Sequence, residues 1–350
     1  MIMVSICCVA YNQEQYIRQT LDSFLAQKTN FSYEIIISDD ASTDHTADII
    51  RQYEQKYPEI IKPVYYTKNI YSQGINPDKL NYAKAVGKYI AFCEGDDYWI
   101  DDYKLQKQVD YMESHPDCTF CFTNAYFLAG ETYWKKFMPV DPRSYKLKDN
   151  QVDIDAGELA LLGTTPTASY MWPTEKVVFP PLPKGTFDHD LYLSIYAASK
   201  GYAHFLDEYT CIYRTDNPNS LMHTWQADIN KFLAVQESIR KLYLELKDMT
   251  GHRFDNVFDF MIFINKVDSF MASKNCKELR NLVKTGEIKI LDEPGLWFEE
   301  AKNDYRNYCY HPEFSIMKRD LEVNGAKFLH KLIDNKPILN RLYKKIRGRE

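Results

Sequence analysis

Residues 34–44 read Glu-Ile-Ile-Ile-Ser-Asp-Asp-Ala-Ser-Thr-Asp, a short apolar run that ends in an acidic pair. Three consecutive isoleucines predict a strand that is buried on both faces, as in a parallel sheet. Similar apolar runs stand on either side of it, at residues 3–9 and 89–93, and residues 17–25 between them have the apolar spacing of an amphipathic helix. This alternation of strand and helix signals predicts an α/β fold with a mostly parallel central sheet.

Polar residues just before the predicted helices are candidate N-caps. Asn12, with Gln15 three residues later, has the spacing of a capping box for the first helix. The remaining candidates are Ser42 or Thr43 for the second helix and Asp101 or Asp102 for the helix that follows residues 98–99.

The composition is that of a globular protein with a sizeable core. The chain has 350 residues, of which 45% are hydrophobic and 15% aromatic, and its net charge of −6 argues against a partner nucleic acid. Eight cysteines in so long a chain do not predict a disulfide scaffold, and Cys118 and Cys121 lack the second ligand pair of a zinc site. Since no apolar run is long enough to span a bilayer, we expect a cytoplasmic protein or one that rests on a membrane surface.

Two regions differ in their patterns, and we place the boundary between them near residue 222. Residues 1–222 carry the strand and helix alternation and form the expected catalytic domain, whereas residues 223–350 read as almost entirely helical. In the tail, residues 326–350, eight Lys or Arg residues stand against two acidic ones, and apolar residues recur at helical spacing. Such a basic amphipathic helix either anchors the protein peripherally to an anionic membrane surface or packs on the rest of the chain.

Acidic pairs follow two of the predicted strands, Asp39-Asp40 after the second and Asp96-Asp97 after the fourth. Ligands of open parallel sheets bind outside the carboxyl ends of the strands, so we expect both pairs in one crevice. Four carboxylates so close together repel one another unless a cation or hydrogen-bond donors neutralise them. Because Mg(II) and Mn(II) prefer carboxylate oxygens and phosphates, the pattern favours a metal-bridged nucleotide. Helix capping is the structural alternative, and for Asp39 and Asp44 it is compatible with the functional one.

Three motifs, in this order, resemble those of the family 2 glycosyltransferases. They are Val4-Ser5-Ile6 through Ala10-Tyr11-Asn12, then Ser38-Asp39-Asp40-Ala41-Ser42-Thr43-Asp44, then Glu94-Gly95-Asp96-Asp97-Tyr98-Trp99. The resemblance extends over roughly residues 1–215. It implies an inverting, nucleotide-sugar-dependent enzyme of the GT-A fold.

The resemblance also implies roles for individual residues of these motifs. Tyr11 would stack on the nucleotide base, Asp40 would bond the edge of the base, and Asp96 would contact the ribose. Asp97 closes the D-x-D-type motif and would bind Mn(II) or Mg(II). Glu94 stands where many relatives carry the first Asp of this motif, a change that keeps the negative charge.

An inverting transfer needs a general base to accept the proton of the acceptor hydroxyl. Residues 185–193, Gly-Thr-Phe-Asp-His-Asp-Leu-Tyr-Leu, resemble the family segment that carries this base, and Asp188 falls on the matching position. Asp190 is the competing candidate and His189 a weaker one. The structural alternative for Asp188 is an N-cap of the helix that follows.

Residues 212–214, Ile-Tyr-Arg, resemble the end of the family's catalytic domain, which makes Arg214 a candidate phosphate contact. Relatives often have a phosphate-contacting histidine two residues after this arginine, where this chain has Asp216. His223 is a candidate substitute for that histidine, although a lone histidine is more often structural.

Together these features predict a glycosyltransferase that adds a single sugar. The resemblance implies a UDP-sugar donor, on family frequency, and a glycan or lipid-linked glycan acceptor in bacterial-type surface polysaccharide synthesis. The Gln-x-x-Arg-Trp motif of processive enzymes is absent from the sequence. Two alternatives remain open at this point, a nucleotidyltransferase-like enzyme and a degenerate, non-catalytic protein that binds glycans or serves as a scaffold.

Overall fold

The computed structural model describes residues 1–130, 132–136, 152–182, 185–186, 189–215, 217 and 228–292. The chain divides into two compact units, Met1–Met261 and Ile262–Glu350. The domain boundary predicted near residue 222 and the basic tail, residues 326–350, lie outside the described residues, and both stay predictions.

The first four strands form one side of a sheet and run parallel to one another. They are β1 (Ile2–Ala10), β2 (Ser32–Asp39), β3 (Ile61–Tyr65) and β4 (Tyr89–Phe92), in the spatial order β3-β2-β1-β4. The isoleucines of β2 and most side chains of β1 are buried, as expected for strands covered on both faces. The predicted α/β fold is confirmed in this half.

The other side of the sheet mixes parallel and antiparallel neighbours. Its strands are β5 (Tyr98–Trp99), β6 (Cys118–Ala129), β7 (Thr132–Lys136), β8 (Asp153–Ile154), β9 (Met171–Pro173) and β10 (Tyr202–Arg214). The short β9 runs antiparallel to both β4 and β6 and so joins the two halves, while β6 and β10 pair in parallel. Strands β5 and β8 pair antiparallel with β10, and β7 pairs antiparallel with β6.

Helices connect the strands within the first unit. They are α1 (Ile17–Leu25), α2 (Thr46–Lys56), α3 (Pro77–Tyr82), α4 (Lys104–Ser114), α5 (Ala156–Leu162) and α6 (His189–Ala198). Each of α1, α2 and α4 buries an apolar stripe, which for α1 consists of Ile17, Leu21 and Phe24. The stripe of α1 lies within residues 17–25, whose apolar spacing predicts an amphipathic helix.

Most of the N-caps predicted for three helices are wrong. Helices α1, α2 and α4 follow Tyr16, His45 and Tyr103, and none of these three residues makes a side-chain capping bond. Asp101 does bond at the start of α4, where its Oδ1 accepts the Tyr103 N–H at 2.9 Å. The caps predicted for α1 and α2 instead bond to each other's loops. The clearest case is Asn12, whose Oδ1 accepts the Thr43 N–H at 2.8 Å, thirty-one residues along the chain.

In the described part of the chain beyond the sheet, residues 228–292, the structure is mostly helical, as predicted. The described elements there are α7 (Ile229–Met249), α8 (Asp255–Ala272) and α9 (Cys276–Thr285). Helix α9 has a side-chain N-cap and a glycine C-cap. Asn275 accepts the Glu278 N–H, and Gly286 ends the helix with a φ of 77°. Within the described ranges, no helix combines the length and the apolar character needed to cross a bilayer.

One fully buried cation lies beneath the sheet. Lys104 is 0% exposed, its Nζ donates to Gln108 Oε1 at 2.7 Å, and the same atom lies 4.3 Å from the centroid of the Trp99 ring. Burial lowers the pKa of Lys104 to about 8. The chain therefore retains a lysine where an apolar side chain would cost less to bury.

Replacing this lysine should change how stability depends on pH. The unfolded chain keeps an ordinary lysine pKa of about 10.4, so between about pH 8 and about pH 10 it binds more protons than the folded protein. Over that range the free energy of unfolding of the wild type should rise relative to Lys104→Met, by up to roughly 3 kcal/mol. Urea unfolding at a series of pH values measures this difference.

Lys107, on the same helix, is the matched control. Hydrogen bonds from Lys107 to Asp101 and Glu208 raise its pKa, so the difference in unfolding free energy between wild type and Lys107→Met should not change with pH below about pH 10. If the stabilities of wild type and Lys104→Met change in parallel from about pH 7 to about pH 10, Lys104 does not titrate there and this account of its burial is wrong.

Candidate functional site

The carboxyl ends of β1, β2 and β4 meet at one edge of the sheet, and all three sequence motifs lie there. In the β1–β2 register Ala10 pairs with Asp39. The Asp40 N–H donates to the Ala10 carbonyl at 2.9 Å, and the Gly95 N–H donates to the Val9 carbonyl at 3.1 Å. These bonds fasten the loops after β2 and β4 to the end of β1, so the crevice expected from the strand pattern is present.

Tyr11 and Asn12 form the turn after β1. Tyr11 is 41% exposed, which leaves its ring accessible to a ligand. Asn12 has a φ of 52°, a backbone conformation that asparagine tolerates better than most residues, and its N–H donates to Ser42 Oγ at 2.9 Å. Together with the bond from Thr43 to Asn12, this contact holds the β1 and β2 loops as one unit. The stacking role of Tyr11 stays a prediction.

Asp40 is buried, and its carboxylate binds the loop that precedes α3. Its Oδ1 accepts the Ile70 N–H at 2.7 Å and its Oδ2 accepts the Tyr71 N–H at 3.1 Å. A carboxylate oxygen can accept two hydrogen bonds, so a base edge would add to these bonds rather than replace them. The base contact of Asp40 stays a prediction, and its contact with the loop is a second role that the sequence did not indicate.

Asp97 is the most deeply buried carboxylate of the motif, with 2% exposure. Its Oδ1 accepts the backbone N–H of Arg214 at 2.9 Å, whereas its Oδ2 has no hydrogen-bond partner among the described residues. Burial raises the pKa of Asp97 well above its usual value, and the neighbouring charges of Asp96 and Glu94 raise it further. An unpaired buried carboxylate oxygen is costly, and a cation removes that cost.

Asp96 and Glu94 also receive hydrogen bonds from distant parts of the chain. Asn217 Nδ2 donates to Asp96 Oδ2 at 2.6 Å, and the Thr167 hydroxyl donates to Glu94 Oε2 at 2.8 Å. Burial, followed by the charge of Asp96, raises the pKa of Glu94 to about 8 in spite of the Thr167 bond. Burial also raises the pKa of Asp96, and the Asn217 bond opposes that shift.

Arg214 supports the motif from the end of β10. Its guanidinium donates to the Asp96 carbonyl and to Gln19 Oε1, and it lies between the rings of Tyr16 and Tyr98, 4.9 and 4.7 Å from their centroids. Five guanidinium N–H groups exceed the two bonds described, so the predicted phosphate contact of Arg214 stays open as a prediction.

Asp78 is a residue of the site that the sequence analysis missed. Burial is the main cause that raises the pKa of Asp78 to about 7, and the charges of Asp190 and then Asp40 raise it further. Asp78 therefore lies near both carboxylates. The sequence signal at Asp78 is structural, since Asn76 accepts the Asp78 N–H at 2.8 Å and Pro77 begins α3. A capping pattern therefore concealed a further acidic group of the crevice.

The predicted base and its neighbours are described only in part. Asp188, the His189 side chain, Asp216 and His223 lie outside the described residues. Asp190 lies in the first turn of α6. Burial is the main cause that raises the pKa of Asp78, and the charge of Asp190 raises it further. The pKa of Tyr71 is raised by burial, then by the charge of Asp78, then by that of Asp190. Asp190 thus faces the crevice, and the choice between Asp188 and Asp190 as the base stays a prediction.

The donor set suits a metal ion that is shared with phosphate oxygens. Among the described residues there is no group of three or more His, Cys, Asp or Glu side chains that could hold a metal by themselves. Mg(II) and Mn(II), however, are often held by one or two carboxylates together with substrate phosphates and water. The free oxygen of Asp97 fits that arrangement, so the residues present are compatible with the predicted metal.

Comparison with known proteins agrees with the motifs. The family model of Glycosyl transferase family 2 matches residues 5–164. An uncharacterized protein of Mycobacterium tuberculosis is 35% identical over 229 residues, which are 65% of this chain and 63% of that protein. The putative teichuronic acid biosynthesis glycosyltransferase TuaG of Bacillus subtilis is 39% identical over 127 residues, or 36% of this chain and 48% of that protein.

A third relative is the UDP-Glc:alpha-D-GlcNAc-diphosphoundecaprenol beta-1,3-glucosyltransferase of Escherichia coli, which is 39% identical over 126 residues, 36% of this chain and 47% of that protein. The matched regions therefore span less than two thirds of these relatives.

Among solved structures, S. aureus TarS with UDP-GlcNAc has a TM-score of 0.58 at 16% identity, over 83% of this chain and 81% of that chain. That likeness concerns the fold, and the predicted GT-A fold is confirmed.

Proposed function

Residues 5–164 belong to glycosyl transferase family 2, and on that basis we propose that this protein moves a single sugar from a UDP-sugar to a glycan or lipid-linked glycan acceptor. The reaction inverts the anomeric configuration and serves the synthesis of a bacterial-type surface polysaccharide. The observation that carries the proposal is the buried Asp97 oxygen without a described partner, beside Asp96 and Glu94 at the strand ends.

The names of the relatives support the donor and the acceptor. The E. coli relative is named for a UDP-glucose donor and a diphosphoundecaprenol-linked acceptor, and the B. subtilis relative for teichuronic acid biosynthesis. Family membership favours glycosyl transfer over a nucleotidyltransferase. Retention of Asp96 and Asp97 in a buried, hydrogen-bonded arrangement favours a working site over a degenerate scaffold.

On the donor side, the chain's own residues bind and orient the nucleotide. Tyr11 stacks on the base, Asp40 accepts from its edge, and Asp96, fixed by its bond from the Asn217 amide, accepts from the ribose. Asp97 would hold Mn(II) or Mg(II). When bound, that ion supplies Lewis-acid neutralisation of the negative charge on the departing diphosphate.

On the acceptor side, one carboxylate removes a proton. The acceptor oxygen attacks the anomeric carbon, the bond from that carbon to the diphosphate oxygen breaks, and the acceptor proton passes to Asp188 or, as the competing candidate, to Asp190. Asp78 lies near Asp190, whose charge is one of the causes that raise the pKa of Asp78, so the two carboxyl groups share this part of the crevice.

Nucleotide binding should require both the metal and Asp97. UDP-glucose at about 100 times its Kd should stabilise the wild type by about 2.7 kcal/mol, seen as a rise in Tm with Mn(II) and not with EDTA. In Asp97→Asn the Mn(II)-dependent rise should disappear and the transfer rate should fall by about 100-fold or more. Differential scanning fluorimetry and a sugar-transfer assay provide the two measurements.

Asp102→Asn is the control for the loss of one acidic residue. The Asp102 carboxylate is half-exposed and pairs with Lys28 at 2.7 Å, away from the motif, so this variant should behave as wild type. Near wild-type turnover by Asp97→Asn in EDTA-treated buffer would contradict the metal-assisted reaction.

The base should be revealed by a pair of substitutions on one segment. Asp188→Asn should abolish transfer yet leave the affinity for the UDP-sugar within about threefold, because the base acts on the acceptor. Asp190→Asn should reduce transfer less. Initial rates and equilibrium binding on both variants decide the matter, and the reverse order of effects would assign the base to Asp190.

We also propose that the protein works at the cytoplasmic face of a membrane, where a lipid-linked acceptor is available. The support is the charge of residues 326–350, a local +6 in a chain of net charge −6, combined with apolar residues at helical spacing. Each cation near an anionic leaflet contributes about 1 kcal/mol to binding.

Vesicle binding should depend on the charges of this tail. The full-length protein should co-sediment with phosphatidylglycerol vesicles and not with phosphatidylcholine vesicles. Replacing Lys344, Lys345, Arg347 and Arg349 by Gln should weaken binding to the anionic vesicles by at least about tenfold. Equal binding by wild type and the substituted protein would show that the tail is not a membrane anchor.

A further inference from the structure

Asn217 contacts the acidic motif although neither its position nor its residue type marked it in the sequence. It lies three residues beyond the end of β10 and is 3% exposed. Its Nδ2 donates to Asp96 Oδ2 at 2.6 Å, across 121 residues of sequence. A hydrogen bond to an ionised acceptor is among the strong ones.

The same stretch of chain holds the neighbouring carboxylate. The Arg214 N–H donates to Asp97 Oδ1, and the Arg214 guanidinium donates to the main-chain carbonyl of Asp96. Arg214 bonds the backbone of the motif, whereas the amide of Asn217 bonds the Asp96 side chain, which also accepts from its own backbone N–H. The two residues therefore act on different parts of the motif.

We propose that Asn217 is a positioning residue for the nucleotide, and that it acts by fixing the Asp96 carboxylate in the orientation that accepts hydrogen bonds from the ribose hydroxyls. The inference rests on the proposed function, in which Asp96 contacts the ribose. Outer partners of this kind orient a contacting group that would otherwise rotate, and losing them typically weakens binding by about 10-fold or more.

The residue type suits this task. An asparagine amide is neutral and donates to the carboxylate, so it orients Asp96 without forming an ion pair that a bound cation would have to compete with. Asn217→Asp has nearly the same shape but offers an acceptor to an acceptor, which turns the 2.6 Å contact into repulsion. Asn217→Ala removes the donor without adding a charge and serves if the Asp variant does not fold.

Ribose-modified nucleotides separate positioning from a merely structural role. The probes are UDP, 2′-deoxy-UDP and 3′-deoxy-UDP, titrated into the full-length protein at fixed Mn(II) by isothermal calorimetry. Wild type should bind UDP about tenfold more tightly than at least one deoxy form, because Asp96 loses a hydrogen bond to the missing hydroxyl. In both Asn217 variants UDP should bind about tenfold more weakly, and the preference for UDP over that deoxy form should fall to about twofold.

Thr215→Val is the matched control, because Thr215 lies in the same stretch but its hydroxyl donates to the Leu128 carbonyl at 3.1 Å, away from the motif. It should retain both the affinity and the preference of wild type. Variants that bind UDP as wild type does, or that lose affinity while keeping the wild-type preference, would overturn the inference and leave the proposed function intact. A wild type that binds no uridine nucleotide with Mn(II) would instead overturn the proposed function, and this inference with it.

Discussion

Burial of negative charge at the ends of the parallel strands is the constraint on which the rest of this domain depends. Glu94, Asp96 and Asp97 lie in surroundings that raise the pKa of each carboxyl, and each accepts a hydrogen bond from a distant part of the chain. The donors are the Thr167 hydroxyl, the Asn217 amide and the Arg214 N–H, which lie 73, 121 and 117 residues away from their acceptors. The motif therefore acquires its geometry only when the mixed half of the sheet has assembled beside the parallel half.

The parallel half of the sheet is held in a corresponding way. Asp40 accepts the N–H groups of two consecutive residues from the loop before α3, and Asn12 exchanges hydrogen bonds with the loop after β2. Both side chains stand where an α/β fold leaves backbone N–H groups without strand partners, so each compensates a cost of burial as well as facing the crevice. Polar residues at this edge thus serve the fold and the site together, which explains why capping and function were competing interpretations of the same sequence.

Local patterns predicted what depends on neighbours in sequence, and the remainder depends on contacts that no local pattern contains. The isoleucines of residues 35–37 and the run at residues 89–92 identify buried parallel strands, and the position of Asp96-Asp97 after such a strand places it at the crevice. The N-cap predicted for α1 failed because Asn12 bonds a residue thirty-one positions away rather than its own helix. Asp78 was concealed by an ordinary helix start, and Asn217 carries no periodicity or motif, since its contact with Asp96 joins residues 121 positions apart.

The pKa shifts also divide the crevice into two chemically different ends. At the motif, an oxygen of Asp97 that has no partner among the described residues adjoins two further carboxylates, and a bound cation would relieve their mutual repulsion. Near α3 and α6, Asp78 with its pKa of about 7 faces Asp190 beside the ring of Tyr71, and there a neutral ligand rich in hydroxyl groups can donate to the carboxyl groups without adding charge. A metal-bound diphosphate satisfies the first end and a sugar the second. A nucleotide sugar joins these two chemistries in one molecule, which is why the proposed donor accounts for both ends of the crevice at once.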